Sequence, residues 1–300
     1  MTTTDPRVAR PTLGVDAGVT GYDGPTAGAA TIEELPEGPL TTPRPDSLYT
    51  RFESVIVGAA TVAGFLLVWH LVASARIMPP LFLPGPADVA EAYGEIWKGG
   101  ELAQDLSISG QEMAVGYGLA AVTGVLLGLA IGWYRRLSYA LDPFISFFYA
   151  TPRIVLLPLL IIWFGIGVQS KIAVVFLGAF FAIVINTAAG VRNLDAHLVK
   201  VARSFGARDL WLFRTITIPG SVPFILTGLR LGTGHALVGV VVGELVASQH
   251  GIGHQMAIAG ATFQSAKLFG YLMFIAMTGV ILTVVLQRLE RKFEAWRPRA

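Results

Sequence analysis

Residues 113–134 read MAVGYGLAAVTGVLLGLAIGWY, an apolar run without a single charge that stops against Arg135 and Arg136. At about 1.5 Å per residue the run is about 33 Å long as a helix, enough to cross a hydrocarbon core of about 30 Å. Within it Gly116, Ala120, Gly124, Gly128 and Gly132 recur every fourth residue. Such a ladder lines one face of a helix, and on that face a second backbone can come close. The run therefore predicts a membrane helix packed into a bundle, not a lone anchor.

The whole chain agrees with that solvent. Its 300 residues are 53% hydrophobic and 14% charged, whereas soluble domains carry about a quarter charged residues. A formal charge of +2 is too small to indicate a nucleic-acid partner, so the placement of the basic residues carries the information. There is no cysteine, which excludes disulfides, thiol nucleophiles and Cys-ligated metals.

Five more runs have the length and composition of a span: residues 54–75, 141–164, 172–190, 222–247 and 269–287, the second of these interrupted by Pro152 and Pro158. Six transmembrane helices place both termini on one side. Putting that side in the cytoplasm gathers Arg135, Arg136, Arg192, Lys200, Arg203, Arg208, Arg214, Arg288, Arg291 and Lys292 there, against Arg76, Lys98, Lys171 and Lys267 outside. The bias follows the positive-inside rule. In the fifth run Gly228, Gly232 and Ala236 form one small-residue series and Gly239, Gly243 and Ala247 another. These read as two faces, one available to a partner subunit.

Residues 1–50 differ in kind, with Pro6, Pro11, Pro25, Pro36, Pro39, Pro43 and Pro45 among Gly, Thr and Asp. The composition predicts a disordered cytoplasmic arm, and no basic-then-apolar start marks a secretory signal. The expected organisation is thus this arm, a membrane domain over 51–290 and a cytoplasmic tail over 291–300.

Candidate chemistry is scarce. No lysine follows a glycine, so a GxxxxGK[ST] phosphate loop is excluded and the chain has no ATPase motif of its own. His70, His197, His235, His250 and His254 contain no HExxH pair, and His250 and His254 are expected in a loop; no metal site and no catalytic residue is assigned. GxSxG elbows are absent as well.

The long cytoplasmic stretch, 191–219, is more informative. Residues 192–219 read RNLDAHLVKVARSFGARDLWLFRTITIP. Leu194, Leu198, Val201 and Phe205 fall at helical spacing, Gly206 interrupts, Leu210, Trp211, Phe213 and Ile216 supply a second apolar patch, and Pro219 marks the return to the membrane. A helix-turn-helix of this kind either docks a partner or lies on the bilayer surface.

This segment resembles the loop of ABC-importer permeases, whose pattern is EAA, three residues, Gly, nine residues, I-x-L-P. Gly206, Ile216 and Pro219 keep the spacing, Ala202 stands at the second alanine and Ile218 at the leucine, while Lys200 and Val201 stand where the pattern has Glu and Ala. LPGPADV at 83–89, the run at 141–167 and VVGELVAS at 241–248 are similar to the nitrate, sulfonate, taurine and bicarbonate branch. The resemblance implies an all-α permease in the inner membrane, a second permease copy, a cytoplasmic ATPase dimer that carries the ATP and Mg, and an extracytoplasmic solute-binding protein. It also implies that Lys200, Ala202, Phe205, Gly206, Leu210, Ile216 and Pro219 form the ATPase-coupling loop.

Polar groups inside spans are costly in lipid and mark candidate path residues. Arg153, Asn186, Arg230, His235 and Glu244 qualify. Arg153, between two prolines, either lines an anion path or forms a structural pair with a carboxylate; Glu244 either gates the exit or forms an ion pair at a dimer interface. The competing class is a secondary transporter, which calls for paired interrupted repeats. Only the third run is broken in that way. A membrane-embedded enzyme ranks behind both.

Overall fold

The computed structural model describes residues 48–100 and 102–293. The expected disordered arm, up to residue 47, and residues 294–300 of the expected tail lie outside the described residues. The chain separates into units 1–57 and 58–300, and the packing below is that of the second.

Among the described residues all regular structure is helical. The elements are α1 (Leu48–Ser74), α2 (Pro86–Lys98), α3 (Leu102–Trp133), α4 (Arg135–Ala150), a 3₁₀ turn (Arg153–Leu156), α5 (Leu157–Phe164), α6 (Val168–Arg192), α7 (Ala196–Ser204), α8 (Asp209–Leu212), a π-helical turn (Phe213–Thr217), α9 (Ile218–Ala247), α10 (Ile252–Ala261) and α11 (Ser265–Phe293). Five helices are long and apolar enough to cross a membrane, and six spans are reached if α4 and the short helix after it, bent by 91° to one another, count as one. The bend falls at Thr151, which Pro152 holds extended at ψ 128. Pro158 does not break the span but sits in the first turn of α5, where its missing N–H costs nothing.

The core is α6 held between α3 and α9. The ladder of α3 is its contact face: a Cβ at Gly116 would strike Val175, at Gly124 Ile183, at Gly128 Thr187 and at Gly132 Val191. Residue numbers rise together along both helices, so α3 and α6 run parallel. The chain between two parallel helices has to return from the Trp133 end of α3 to the Val168 end of α6, and the bent α4–α5 pair carries it there.

In α9 the two small-residue series form one face and not two. Gly228 meets Ile183 and Asn186, Gly232 meets Ile183 and Ala179, Gly239 meets Val175 and Gly243 meets Lys171. Both series are consumed by α6 within the chain, antiparallel to it, and neither is left for a partner subunit. The step from Ala236 to Gly239 is three residues instead of four, which returns the second series to the first face at 3.6 residues per turn.

This packing is testable at Gly128. A Cβ there would lie 2.6 Å from Thr187 Cβ and 2.8 Å from the Val184 carbonyl oxygen, whereas at Gly118 nothing lies within 4 Å. Gly128→Leu should destabilise the bundle by about 2–3 kcal/mol through overpacking, with Gly118→Leu close to neutral. The unfolding midpoint and monodisperse yield of the detergent-extracted chain measure it. Equal behaviour of the two variants would show that α3 and α6 do not pack through the ladder.

Two short helices were not expected from the sequence. α2 buries Val89, Ala92 and Ile96, and the Gly85 N–H donates to Asp88 Oδ2 at 2.8 Å. The 83–89 motif is therefore a helix start, with the Pro84 carbonyl accepting from Trp69 Nε1 at 3.0 Å. α10 places His254 in a helix, where a loop was expected.

Candidate functional site

Two polar regions occupy opposite ends of the bundle. At one end Asp105, Ser109 and Glu112 of α3, at positions i, i+4 and i+7, share a face. Glu112 and Lys171 of α6 form an ion pair with side chains 1% and 5% exposed. Lys171 Nζ also donates to Ser248 Oγ at 2.9 Å. Lys171, expected to face outward from a loop, is instead enclosed in the first turn of α6.

The turn from α9 into α10 completes this cluster with three successive backbone donors. Gly251 N–H donates to Asp105 Oδ1 at 2.7 Å, Ile252 N–H to Ser109 Oγ at 3.1 Å and Gly253 N–H to Glu244 Oε2 at 2.7 Å. Ser109 Oγ in turn donates to Glu244 Oε1 at 2.6 Å, and Gln255 Nε2 to Asp105 Oδ2 at 2.9 Å. A helix start leaves its first N–H groups unpaired; here two carboxylates, Asp105 of α3 and Glu244 of α9, and the Ser109 hydroxyl satisfy them, the carboxylates with the favourable sign for the helix dipole. Glycine is required at 251, where φ is 106° and a Cβ would fall on the Glu244 carboxylate, and at 253, where it would lie 2.6 Å from the Val241 carbonyl oxygen.

The cluster thus ties α3, α6, α9 and α10 together, with Glu244 inside it. Its carboxylate accepts from Ser109 Oγ and the Gly253 N–H within the chain. It also borders a small apolar cavity between α3, α9 and α11, lined by Leu106, Met113, Leu237 and Phe274. No group of three or more Asp, Glu or His among the described residues is placed to hold a metal.

Arg230, Asn186 and His235 do not line that cavity. Arg230 of α9 donates to Glu290 of α11 at 2.9 Å, so it is half of an interhelical ion pair. Asn186 donates to the Ala182 carbonyl of its own helix at 2.8 Å. The His235 carbonyl faces Gly178, where an added Cβ would lie 2.9 Å away. Arg153 opens the 3₁₀ turn beside the bend, and its side chain lies outside the described residues.

At the opposite end lies the 192–219 segment. Asp195 caps α7 by accepting from the His197 N–H at 2.7 Å, so the helix is shorter than the apolar spacing suggests. Leu194 precedes it and packs against Gly220. Gly206 has φ 81°; its N–H donates to Arg203 O at 2.9 Å and the Ala207 N–H to Ala202 O at 3.1 Å. This bond pair is a Schellman motif with Gly206 in the left-handed position and Ala202 supplying the far carbonyl. Lys200 lies in α7, its carbonyl accepting from Ser204 Oγ at 3.1 Å.

Beyond the turn, the expected second helix and the return to the membrane are one continuous element. α8 passes through the π turn, which contains Ile216, into α9, and the Ile218 N–H donates to Phe213 O. Pro219 lacks the N–H that an α-helical ladder would use there, and the wider turn accommodates that loss. The edge of Phe213 rests on Trp133 at the end of α3, with ring centroids 5.2 Å apart.

The two ends together define a class: a polytopic helical membrane protein with a rigid, hydrogen-bonded cap at one face and a helical loop at the other. The model of the "binding-protein-dependent transport system inner membrane component" family matches residues 121–296, and the chain belongs to that family of ABC-type transport permeases. It is 33% identical to the putative aliphatic sulfonates transport permease of Bacillus subtilis (strain 168), over 80% of this chain and 87% of that protein. It is 32% identical to the taurine transport system permease of Escherichia coli (strain K12), over 81% and 90%. Its fold is similar to a chain of the MetNI methionine ABC transporter in inward-facing conformations, with TM-score 0.57 and 17% identity, over 67% of this chain and 98% of that one. The chain is a transport subunit and not an enzyme.

Proposed function

We propose that this chain forms the membrane path of an ATP-driven importer for a small anionic solute of the sulfonate or taurine kind. Two copies assemble with an ATPase dimer at the α7–α8 end, and a solute-binding protein delivers at the α2–α10 end. Both termini are cytoplasmic. Arg153, at the bend of the third span, is the candidate cation for the solute; Arg230 is not, because Glu290 already neutralises it.

The observation that carries the reading is the surface of the α7–α8 segment. Phe205 is 88% exposed at its tip, and Leu198, Val201, Leu210 and Trp211 are all more than half exposed. Basic residues surround them: Lys200, Arg203, Arg208 and Arg214. An apolar patch at an aqueous end is a docking surface. A chain without a phosphate loop obtains its energy through such a contact.

Because the chain lacks cysteine, single cysteines can be labelled without background. An impermeant thiol reagent on intact cells should label positions 98 and 267 and spare position 208; the reverse pattern would overturn the orientation. Phe205→Asp should weaken ATPase retention by about 2 kcal/mol, roughly thirtyfold, and leave the bundle intact. Full ATPase retention would remove the docking role. Uptake with the cognate binding protein, comparing sulfonates, oxyanions and small aromatic acids, identifies the solute.

A further inference from the structure

One groove at the basic end adjoins the docking surface, shares Leu210 with it, and runs from there along α3. Leu126, Leu129, Ala130 and Trp133 of α3 stand at i, i+3, i+4 and i+7, opposite Leu210 and Phe213 of the α8 element, around an open groove. From Leu126 to Tyr134 it runs about 12 Å along the helix axis, starting among apolar residues and ending at Trp133 and Tyr134. Aromatic pairs of this kind mark the boundary between hydrocarbon and headgroups.

Immediately past that boundary are cations. Arg135 and Arg136 follow Tyr134 on one wall, and Arg208 and Arg214 flank the other wall's contributions. All four are exposed. Arg135 lies over the Tyr139 ring and donates to its hydroxyl at 2.6 Å, and none of the four makes an ion pair among the described residues. The acidic group on the rim, Asp209, is engaged by Arg203 at 3.2 Å. An apolar slot ending in aromatics and unpaired arginines matches an amphiphile with an acyl chain and an anionic phosphate head. A soluble anion has no use for the slot, and a neutral lipid has no use for the arginines.

We propose that this groove is a binding site for an anionic phospholipid of the inner leaflet, whose chain lies between α3 and α8 and whose phosphate is held by Arg135 and Arg136. The inference goes beyond the importer reading and rests only on the orientation proposed above. The lipid would brace the base of the 192–219 segment against α3, beside the Trp133–Phe213 contact.

The test uses the full chain with its ATPase in detergent, with dioleoylphosphatidylglycerol or dioleoylphosphatidylcholine as probe and native mass spectrometry as readout. Phosphatidylglycerol should be retained roughly tenfold better. The double variant Arg135→Gln/Arg136→Gln should abolish that preference, Ala130→Trp should lower retention of both lipids, and glycerol phosphate should not compete. Equal retention of the two lipids by the unmodified chain, or an unchanged preference in the arginine variant, would overturn the site. So would disulfide formation between two copies of Leu126→Cys, which would show a second copy covering the groove. The arginines lie on an exposed helix start, so their replacement keeps the test valid where Ala130→Trp fails to fold.

Discussion

Lys171→Met should strongly destabilise the half of the bundle that holds Glu112. Glu112 is buried and its carboxylate oxygens make no hydrogen bond to another described group, so the Lys171 ammonium is its partner. Glu244 and Asp105 line the same cluster, and Lys171 is the only cation there among the described residues. Removing it leaves a buried carboxylate without compensation, a loss of about 3–5 kcal/mol, against a total stability of about 5–15 kcal/mol for a typical domain. The Ser248 hydroxyl would lose its donor as well. Adding Glu112→Gln removes the unpaired charge, and the double variant should recover most of the loss. Thermal unfolding of the detergent-extracted chain measures both. A single variant as stable as the parent would mean that the pair is open to water; a double variant no better than the single one would mean that Lys171 acts by packing alone.

That pair also shows where sequence reasoning stops. The spans are legible because hydropathy is a local signal, and the α3 ladder is legible because its period is fixed. Glu112 and Lys171 were missed because a charge beside an apolar run looks like the end of a span. In the folded chain α3 begins at Leu102 and α6 at Val168, so both charges lie inside the bundle. Asp105 and Gly251 are 146 residues apart, and nothing local announces their bond. α2 did leave a signal, in the spacing of Val89, Ala92 and Ile96, but thirteen residues with acidic groups are not a span. The misreading of α9 has another cause: one three-residue step makes a single helical face look like two series.

Gly206 was legible, both as a helix stop and through the family spacing, and its geometry sets the second large effect. At φ 81° a side chain costs roughly 1–2 kcal/mol, more when it is β-branched. No atom lies within 4 Å of an added Cβ, so a substitution acts through backbone conformation and not through collision. Gly206→Val should therefore unmake the Schellman pair to Ala202 and Arg203 and swing Phe205 out of register with Leu210. The transmembrane core should be unaffected, since none of the α7 residues is buried. The variant should insert normally while transport and substrate-stimulated ATP hydrolysis fall about tenfold or more, the factor that corresponds to about 1.4 kcal/mol of docking. Gly206→Asn is the discriminating control. Asparagine tolerates the left-handed region yet adds a side chain of similar bulk, so it should keep most of the coupling. If both variants transported normally, the turn would not be the element through which the ATPase drives this chain; if both failed alike, bulk at the docking surface rather than backbone conformation would be the cause.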